Sequence, residues 1–351
     1  MKTEILKIDK DQIDLSKIRY SADIIRNGGL VAFPTETVYG LGANAYDENA
    51  VQNIFKAKGR PSDNPLIVHV SCIEEVPGLV LDMPSNASRL MDEFWPGPLT
   101  IIMRKSERVP YIVTAGINTV GIRMPSHPVA LSLIREAGVP IAAPSANSSG
   151  KPSPTNAAHV ITDLSGKVDV IIDSGISNVG LESTVLDITD DNPVILRPGG
   201  ITPAQIEKVL GKVSIDPAIL RKADANFKPK APGMKYTHYS PKADVIVVDG
   251  QPEKAAAKIN ELWEDYKLNN IFAGILATDQ TIDLYGDKCV ISAGDRERPE
   301  TIANSLFRLL RKFDEIGVRV ILAEAIDNSG IGLAVMNRLN KAAGYNIIKV
   351  E

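Results

Sequence analysis

The sequence predicts an α/β protein made of two domains, and three observations support this class. Short and almost continuously apolar runs recur between residues 30 and 197, as in strands of a sheet that is covered on both faces. Segments with the helical period of apolar residues lie between several of these runs. The chain has 351 residues, which favours two domains over one.

The first domain is assigned to residues 1–215 and is expected to contain a large sheet. A helix that ends at Gly29 is followed by a buried strand, LVAF. The segment HPVALSLIREAG is expected to form another helix. Further strands are predicted from PLIVHV, LTIIMR, TVGIRM, VPIAAP, DVIIDS, STVLDI and PVILRP.

A linker is assigned to residues 216–243. From Arg221 to Lys242 the chain carries six cations, three prolines and a single acid, a composition that is typical of a linker rather than of a helix or strand. Residues 244–351 then repeat the α/β pattern on a smaller scale. Strands are predicted from ADVIVV, IFAGIL, KCVIS and RVILAEA, and helices over Glu253–Lys267, from Pro299 and after Ser329, as in a Rossmann-like layer.

Composition excludes several classes of protein. The net charge of -4 argues against a protein whose main task is to coat nucleic acid. The two cysteines form no CxxC pair, so neither a thiolate zinc site nor a disulfide framework is supported, as suits a reducing cytoplasm. The N-terminus lacks the apolar core of a signal peptide, and no apolar run approaches the length of a membrane span. We therefore expect a cytoplasmic protein.

The segment GLGANA, residues 40–45, matches the spacing of a dinucleotide-binding fingerprint. Such a fingerprint should follow a strand directly and open a helix, whereas here PTETVY lies between the strand LVAF and the glycines. The match is therefore weak, and no phosphate-binding P-loop sequence is present.

Two polar segments adjoin predicted strands. In FPTETVYGLG, Thr35 and Thr37 offer hydroxyl groups at a strand end, where ligands bind in open α/β sheets. In KGRPSDNPL, Lys58 and Arg60 lie two residues apart in a loop, and both suit phosphate oxygens. Taken alone, the first segment is equally compatible with an ordinary turn, whereas the second is more typical of a solvated cationic loop.

Two strands carry a polar residue on one face. Alternation along PLIVHV places His69 with Ile67, and a lone histidine there is more often a buried group with internal partners than a ligand contact. Alternation along TVGIRM isolates Arg123 on one face. A buried guanidinium needs an anionic partner, and a substrate carboxylate would serve.

The segment APSANSSGKPSPT is the strongest single candidate. It follows a buried strand and supplies four serine hydroxyls and an amide in a loop with glycine and prolines, at Ser145, Asn147, Ser148, Ser149 and Ser153. Such a loop can bind phosphate and ribose, although a flexible polar loop would have the same composition. Ser183 lies near a strand start and Arg197 at a strand end.

Together these segments resemble the YrdC family. The motifs that carry the resemblance occur in family order from about residue 20 to residue 205, namely PTETVYGLG, KGRPSDNPL, FWPGPLT, VGIRMP, PSANSSGKPSPT, STVLDI and LRPGGIT. The whole chain resembles the longer, two-domain members, and APGMKYTHYSPKA supports the match beyond the first domain. The resemblance implies a twisted open mixed sheet with helices, followed by a smaller Rossmann-like α/β domain.

The resemblance also implies a reaction. L-Threonine, bicarbonate and ATP would give threonylcarbamoyl-AMP and pyrophosphate, so the chain would be a nucleotidyltransferase, an L-threonylcarbamoyladenylate synthase. The product would serve threonylcarbamoyladenosine modification of tRNA next to the anticodon. Mg²⁺ would accompany ATP, the tRNA threonylcarbamoyl transferase machinery would be a transient partner, and a weak contact with tRNA itself stays open.

The family's site residues are carried over by motif. The catalytic residues would be Lys58, Arg60, Ser145 and Asn147. The ATP-binding residues would be Lys58, Ser62, Thr119, Ser145, Ser153, Arg197 and, in the linker, Tyr236 or His238. The threonine-binding residues would be Thr35, His69, Arg123, Ala143 through its backbone, and Ser183. No metal-binding side chain is identified, and the linker is expected to close over the site.

Two other functions compete with this one. A non-catalytic RNA-binding module could use a basic concavity, but the net charge and the lack of aromatic stacking motifs oppose it. Carbamoyl transfer for hydrogenase maturation, which a larger protein with a related domain performs, should bring paired zinc-finger cysteines, and the chain has none.

Overall fold

The computed structural model describes residues 1–219 and 239–351. They form two compact units, the first from residues 1–149 and 153–219, the second from residues 150–152 and 239–351. Most of the assigned linker, including Tyr236 and His238, lies outside the described residues. Among the described helices, none combines the length and hydropathy that crossing a membrane requires.

The first unit is built on a sheet of eleven strands. The strands are β1 (Glu4–Lys7), β2 (Val31–Phe33), β3 (Gly40–Asn44), β4 (Ile67–His69), β5 (Leu99–Arg104), β6 (Thr119–Arg123), β7 (Ile141–Ala143), β8 (Val170–Asp173), β9 (Thr184–Asp187), β10 (Val194–Arg197) and β11 (Ser214–Ile215). They run in the order β1-β8-β2-β3-β7-β4-β6-β5-β9-β10-β11. The sheet contains parallel pairs such as β4 with β6 and antiparallel pairs such as β4 with β7, so it is mixed, as predicted.

Six helices accompany this sheet. They are α1 (Leu15–Arg26), α2 (Glu48–Lys58), α3 (Ser85–Phe94), α4 (Pro128–Ala137), α5 (Ala157–Leu164) and α6 (Pro203–Leu210). Asp47 caps α2 by accepting hydrogen bonds from two backbone N–H groups of the first turn. Gly59 ends α2 in the left-handed conformation, at a φ of 61°. This stop makes Lys58 the last helical residue and leaves Arg60 in the loop that leads to β4.

One hydrophobic core of the first unit lies between α1, α4 and one face of the sheet. Ile18, Phe33, Leu133 and Ile141 are among its fully buried side chains. Burial of this kind, at about 25 cal/mol per Å² of apolar surface, holds β2 and β7 in place on either side of β3. The loops that leave these two strands carry the PTET and PSAN segments, so the core fixes the positions of both.

The segment GLGANA forms strand β3 rather than a phosphate-binding turn. The glycines are required by packing, because a Cβ atom on Gly42 would lie 2.7 Å from the side chain of Ile141 and 2.8 Å from that of Phe33. β3 pairs with β2 on one side and with β7 on the other. The fingerprint is therefore absent from this segment.

The second unit is a five-stranded parallel sheet with helices. Its strands are β12 (Asp244–Asp249), β13 (Ala273–Ala277), β14 (Val290–Ser292), β15 (Val320–Glu324) and β16 (Ile347–Lys349), and its helices are α7 (Pro252–Leu268), α8 (Pro299–Ile316) and α9 (Gly332–Ala342). The strand order is β14-β13-β15-β12-β16, with every pair parallel. The predicted α/β class is confirmed. The position of β15 between β13 and β12 differs from the order of the usual dinucleotide-binding fold.

Candidate active site

Four of the predicted site residues lie on one face of the large sheet. Residues that are paired across neighbouring strands point to the same face. His69 of β4 pairs with Arg123 of β6, and Thr119 lies on the same face of β6. Ala143 of β7 pairs with Ile67, which shares a face with His69. The alternation predicted along β4 and β6 is therefore confirmed, and it brings His69, Thr119, Arg123 and Ala143 to a common surface.

Arg123 is buried, with 4% of its surface exposed, and its anionic partner lies within the chain. Its Nη2 atom lies 2.6 Å from Oε1 of Glu36. Nη1 donates to the hydroxyl of Thr37 at 2.9 Å, and Nε donates to the carbonyl of Gly97 at 3.2 Å. Because a guanidinium has five N–H donors, these contacts leave donors for a second carboxylate. Glu36 is a site residue that the sequence reasoning missed, although the motif PTET contains it.

The loop from β2 to β3 is ordered by its own hydroxyl groups. Oγ1 of Thr35 lies 2.8 Å from Oγ1 of Thr37 and donates to the carbonyl of Val38 at 2.6 Å. Both threonine side chains are buried. This turn holds Thr35 and Thr37 close together and carries Glu36 to Arg123, which explains why hydroxyl residues flank the acid.

His69 is a buried, neutral group. Burial is the main cause that lowers the pKa of its imidazole to about 3, and the nearby charge of Arg123 lowers it further. No described residue forms a hydrogen bond with its Nδ1 atom. The ring packs edge-on against Phe33, with centroids 6.1 Å apart. A neutral imidazole with an open nitrogen can pair with the hydroxyl group of a ligand.

Lys58 binds the PSAN loop. Its Nζ atom donates to the carbonyl of Ser145 at 2.5 Å and to the carbonyl of Asn147. The hydroxyl of Ser145 in turn donates to the amide oxygen of Asn147 at 2.6 Å. Lys58 is 4% exposed, so its segment is not a simple solvated turn. Three residues that the resemblance names as catalytic therefore form one hydrogen-bonded cluster.

The same loop is held from two further directions. The backbone N–H of Ser149 donates to the carbonyl of Lys58 at 2.9 Å. The backbone N–H of Ser148 donates to the carboxylate of Asp163 in α5 at 3.2 Å, and the Ser148 hydroxyl donates to the carbonyl of the same residue. Asp163 is thus a further residue that the sequence reasoning missed, and its burial on α5 gave no signal in a motif.

Arg60 and Ser62 lie on the adjoining loop. The Nη2 atom of Arg60 donates to the carbonyls of Asn64 and Pro65, at 3.2 and 3.3 Å, so this side chain orders the loop that carries it. Ser62 is exposed. Among the described residues, no hydrogen bond joins the Ser62 side chain to the cluster of Lys58, Ser145 and Asn147.

Ser183 and Arg197 are brought into direct contact. Arg197 donates from Nε to the carbonyl of Ser183 at 3.0 Å and from Nη2 to its hydroxyl at 3.1 Å. The same hydroxyl lies 2.8 Å from that of Thr100. The hydroxyl of Ser153 donates to the carboxylate of Glu182, the preceding residue. Two predicted nucleotide contacts, Ser153 and Arg197, therefore meet on neighbouring residues.

Backbone hydrogen bonds join the three clusters. The N–H of Tyr39 donates to the carbonyl of Pro154 at 2.8 Å, and the N–H of Ala146 donates to the carbonyl of Tyr39 at 2.8 Å. The N–H of Val179 donates to the carbonyl of Glu36 at 2.7 Å. The PTET loop, the PSAN loop and the segment before β9 therefore form a continuous polar wall beside the sheet face.

The side chains of this wall combine cations and hydroxyl groups with the carboxylates of Glu36 and Glu182. Within residues 1–219 and 239–351, no three histidine, cysteine, aspartate or glutamate side chains are grouped so that they could hold a metal ion. Such a wall suits an anionic ligand that brings its own cation.

Sequence comparison assigns the chain to a family. The Sua5/YciO/YrdC family model, described as "Telomere recombination", matches residues 23–199, and the model "Threonylcarbamoyl-AMP synthase, C-terminal domain" matches residues 201–344. The chain therefore belongs to the Sua5/YciO/YrdC family. Its match to the second model makes it one of the longer, two-domain members, as the motifs predicted.

Curated relatives and a solved structure agree with this assignment. A protein of Pyrococcus abyssi called threonylcarbamoyl-AMP synthase is 52% identical, over 97% of this chain and 98% of its own length. A Bacillus subtilis protein of the same name is 50% identical, over 95% of this chain and 94% of its own length. The crystal structure of Pyrococcus abyssi Sua5 complexed with L-threonine matches with a TM-score of 0.93 at 50% identity and covers 100% of both chains.

Proposed function

We propose that this chain is a threonylcarbamoyl-AMP synthase, a nucleotidyltransferase that converts L-threonine, bicarbonate and ATP to threonylcarbamoyl-AMP and pyrophosphate. The product serves threonylcarbamoyladenosine modification of tRNA next to the anticodon. One observation carries the proposal: the chain is 52% identical to a curated synthase along nearly its whole length. We assign the catalytic role to residues 1–215, joined by the linker 216–243 to a second domain, 244–351.

The threonine pocket is proposed on the sheet face around Arg123. A free N–H pair of Arg123 would bind the threonine carboxylate. The neutral imidazole of His69 and the hydroxyl of Thr35 would pair with the threonine hydroxyl. A pocket that pairs a hydroxyl rejects analogues without one, because its own buried polar groups would then lack partners. The backbone at Ala143 and the hydroxyl of Ser183 would complete the pocket.

The nucleotide is proposed to lie along the polar wall. Lys58 and Arg60 would face the phosphates, and Lys58 would also hold the PSAN loop in place. The other proposed contacts are Ser62, Thr119, Ser145, Ser153 and Arg197, and, outside the described residues, Tyr236 or His238. Asn147 is proposed as a catalytic residue together with Lys58, Arg60 and Ser145. Backbone and hydroxyl donors of such a loop suit phosphate and ribose oxygens.

The chemistry needs positioning and charge stabilisation. A threonine carbamate attacks the α-phosphorus of ATP, and pyrophosphate leaves, so negative charge builds on phosphate oxygens. Clustered cations that are fixed before the reaction stabilise this charge. Mg²⁺ would neutralise phosphate charge, held by the phosphates and water, since the described residues form no metal-binding cluster. No side chain is assigned as general base, because positioning can supply much of the rate.

The test is pyrophosphate release by the purified full-length protein. With ATP and Mg²⁺ present, release should require both threonine and bicarbonate, and the mixed anhydride should be detected by mass spectrometry. Folded protein that binds ATP but releases no threonine-dependent pyrophosphate would overturn the proposal. Tight, steeply salt-dependent tRNA binding without ATP turnover would instead support an RNA-binding module. The downstream transferase machinery is the proposed recipient of the product, and the cytoplasm its proposed location.

A further inference from the structure

The buried carboxylate of Glu36 has unused capacity for hydrogen bonds. Glu36 is 7% exposed, its ion pair is the 2.6 Å approach of Arg123 to Oε1, and the imidazole of His127 is near enough to interact with its charge. No described residue donates a hydrogen bond of good geometry to either oxygen, and both oxygens are closed to solvent. An ionised carboxylate offers about four acceptor positions, and buried polar atoms are nearly always bonded. The acceptor positions of Glu36 that no described residue fills therefore require an explanation.

An ion pair of the second unit shows how a buried carboxylate can receive its full set of hydrogen bonds. In the second unit, Nη2 of Arg296 lies 2.6 Å from Oε2 of Glu324. Oε1 of Glu324 also accepts from the hydroxyl of Tyr285 at 2.6 Å, and Oε2 accepts from Thr278 at 2.9 Å. The fold can thus satisfy a buried carboxylate fully. Glu36 is left open next to the proposed threonine pocket.

The open groups around Arg123 match the polar groups of a free amino acid. Arg123 retains N–H donors for a carboxylate, and Nδ1 of His69 is open on the same sheet face. Glu36 supplies an anionic acceptor for an ammonium group, which has three N–H donors. The guanidinium would pair with the carboxylate of threonine, the imidazole with its hydroxyl group, and the carboxylate of Glu36 with its ammonium group.

We propose that Glu36 binds the α-ammonium group of the substrate amino acid while Arg123 binds its carboxylate. This inference rests on the proposed function, which makes threonine the substrate. The buried site then holds two positive charges, on Arg123 and the ammonium group, and two negative charges, on Glu36 and the ligand carboxylate, so its net charge is zero. A ligand with a carboxylate but no ammonium leaves one buried negative charge without a partner, which is costly. Glu36 thereby selects an α-amino acid against the corresponding α-hydroxy acid.

The experiment compares two ligands and three proteins by calorimetric titration. The ligands are threonine and its analogue in which a hydroxyl group replaces the α-ammonium. The proteins are the wild type, Glu36→Gln, and Glu324→Gln as a matched control in the second unit. We expect Glu36→Gln to raise the dissociation constant of threonine about 10- to 100-fold, the range for a hydrogen bond to a charged group. The dissociation constant of the analogue should change less than about 3-fold, so the ratio of the two dissociation constants should move towards one.

The controls separate this inference from its alternatives. ATP affinity should be unchanged in Glu36→Gln, and Glu324→Gln should keep the wild-type preference for threonine. Equal weakening of both ligands by Glu36→Gln would mean that Glu36 acts only by holding Arg123, and would overturn the inference. If Glu36→Gln does not fold, the wild-type protein alone tests the inference. Similar affinities of the wild type for both ligands would also overturn the inference. Threonine binding without pyrophosphate release would contradict the proposed function and leave this inference standing.

Discussion

Two arginine–glutamate pairs whose carboxylate is buried have the same separation and different surroundings. Arg123 with Glu36 and Arg296 with Glu324 both approach to 2.6 Å. The carboxylate of Glu324 receives further hydrogen bonds from two hydroxyl groups, whereas that of Glu36 receives none from the described residues. The distance within a buried ion pair therefore says little about its role. Under the proposed role of Glu36, the open acceptor positions distinguish a pair that serves binding from one that serves folding.

The largest effect is expected from a substitution that breaks the pair of Arg296 and Glu324, which we call the closed pair because its carboxylate has further hydrogen-bond donors. Glu324→Ala leaves the guanidinium of Arg296 and the hydroxyls of Tyr285 and Thr278 without their acceptor. Loss of one partner of a buried pair costs about 3–5 kcal/mol. Because each unit holds one tryptophan, urea unfolding followed by Trp263 fluorescence in a Trp95→Phe background reports on the second unit. A loss below about 1 kcal/mol would mean that the closed pair contributes little to folding.

Lys58 extends the comparison to the proposed site, because its ammonium group already donates hydrogen bonds to backbone carbonyls of the chain. Lys58→Ala removes the donor from the buried carbonyls of Ser145 and Asn147. We expect the unfolding free energy to fall by about 1–3 kcal/mol and pyrophosphate release to fall at least about 100-fold. Arg60→Ala is the matched variant, since Arg60 is only half-buried and should lose activity with a smaller loss of stability. Wild-type turnover in Lys58→Ala would exclude Lys58 from the site.

His69 has a ring nitrogen without a hydrogen-bond partner among the described residues, and its effect on the free energy of unfolding should depend on pH. Its folded pKa is about 3, below the ordinary value of 6.5, so only the unfolded chain takes up a proton between these values. Stability should therefore fall as pH falls below 6.5, by about 2 kcal/mol at pH 5. Unfolding of the first unit, followed by Trp95 in a Trp263→Phe background, measures this change. His69→Gln should remove that part of the pH dependence, and an unchanged slope would refute the assignment.

The smallest effect is expected for an exposed pair. Lys312 and Glu315 on α8 approach to 3.0 Å with more than half of each side chain exposed. Such pairs contribute about 0–1 kcal/mol, so Lys312→Ala should change the unfolding free energy by no more than about 0.5 kcal/mol. A loss comparable to that of Glu324→Ala would show that burial does not set the scale for ion pairs in this chain.

The sequence predicted the strands that are continuous apolar runs, and it missed those whose character depends on tertiary packing. β3 escaped notice because glycines disfavour strands in isolation, yet Gly42 is required by the side chains of Phe33 and Ile141. β1 is mostly exposed at the end of the sheet, so its residues show no burial pattern. Neither feature can be read from local periodicity.

The candidate site was predicted in its residue types and only partly in its contacts. The motifs indicated Lys58, Ser145 and Asn147, and the structure joins them in one cluster. The need of Arg123 for an anion was also predicted, but the resident partner was not, because Glu36 lies far from it in sequence. A local motif cannot show which distant side chains will meet across a sheet.

The most direct test of the difference between the two pairs is the thermal stabilisation that threonine confers on the wild type, Glu36→Gln and Glu324→Gln. At 100 times the wild-type dissociation constant, threonine should stabilise the wild-type protein by about 2.7 kcal/mol. Glu324→Gln should start from a lower Tm and gain the same stabilisation. Glu36→Gln should gain at most about half of it. Full stabilisation of Glu36→Gln, with loss of the effect in Glu324→Gln, would contradict the account.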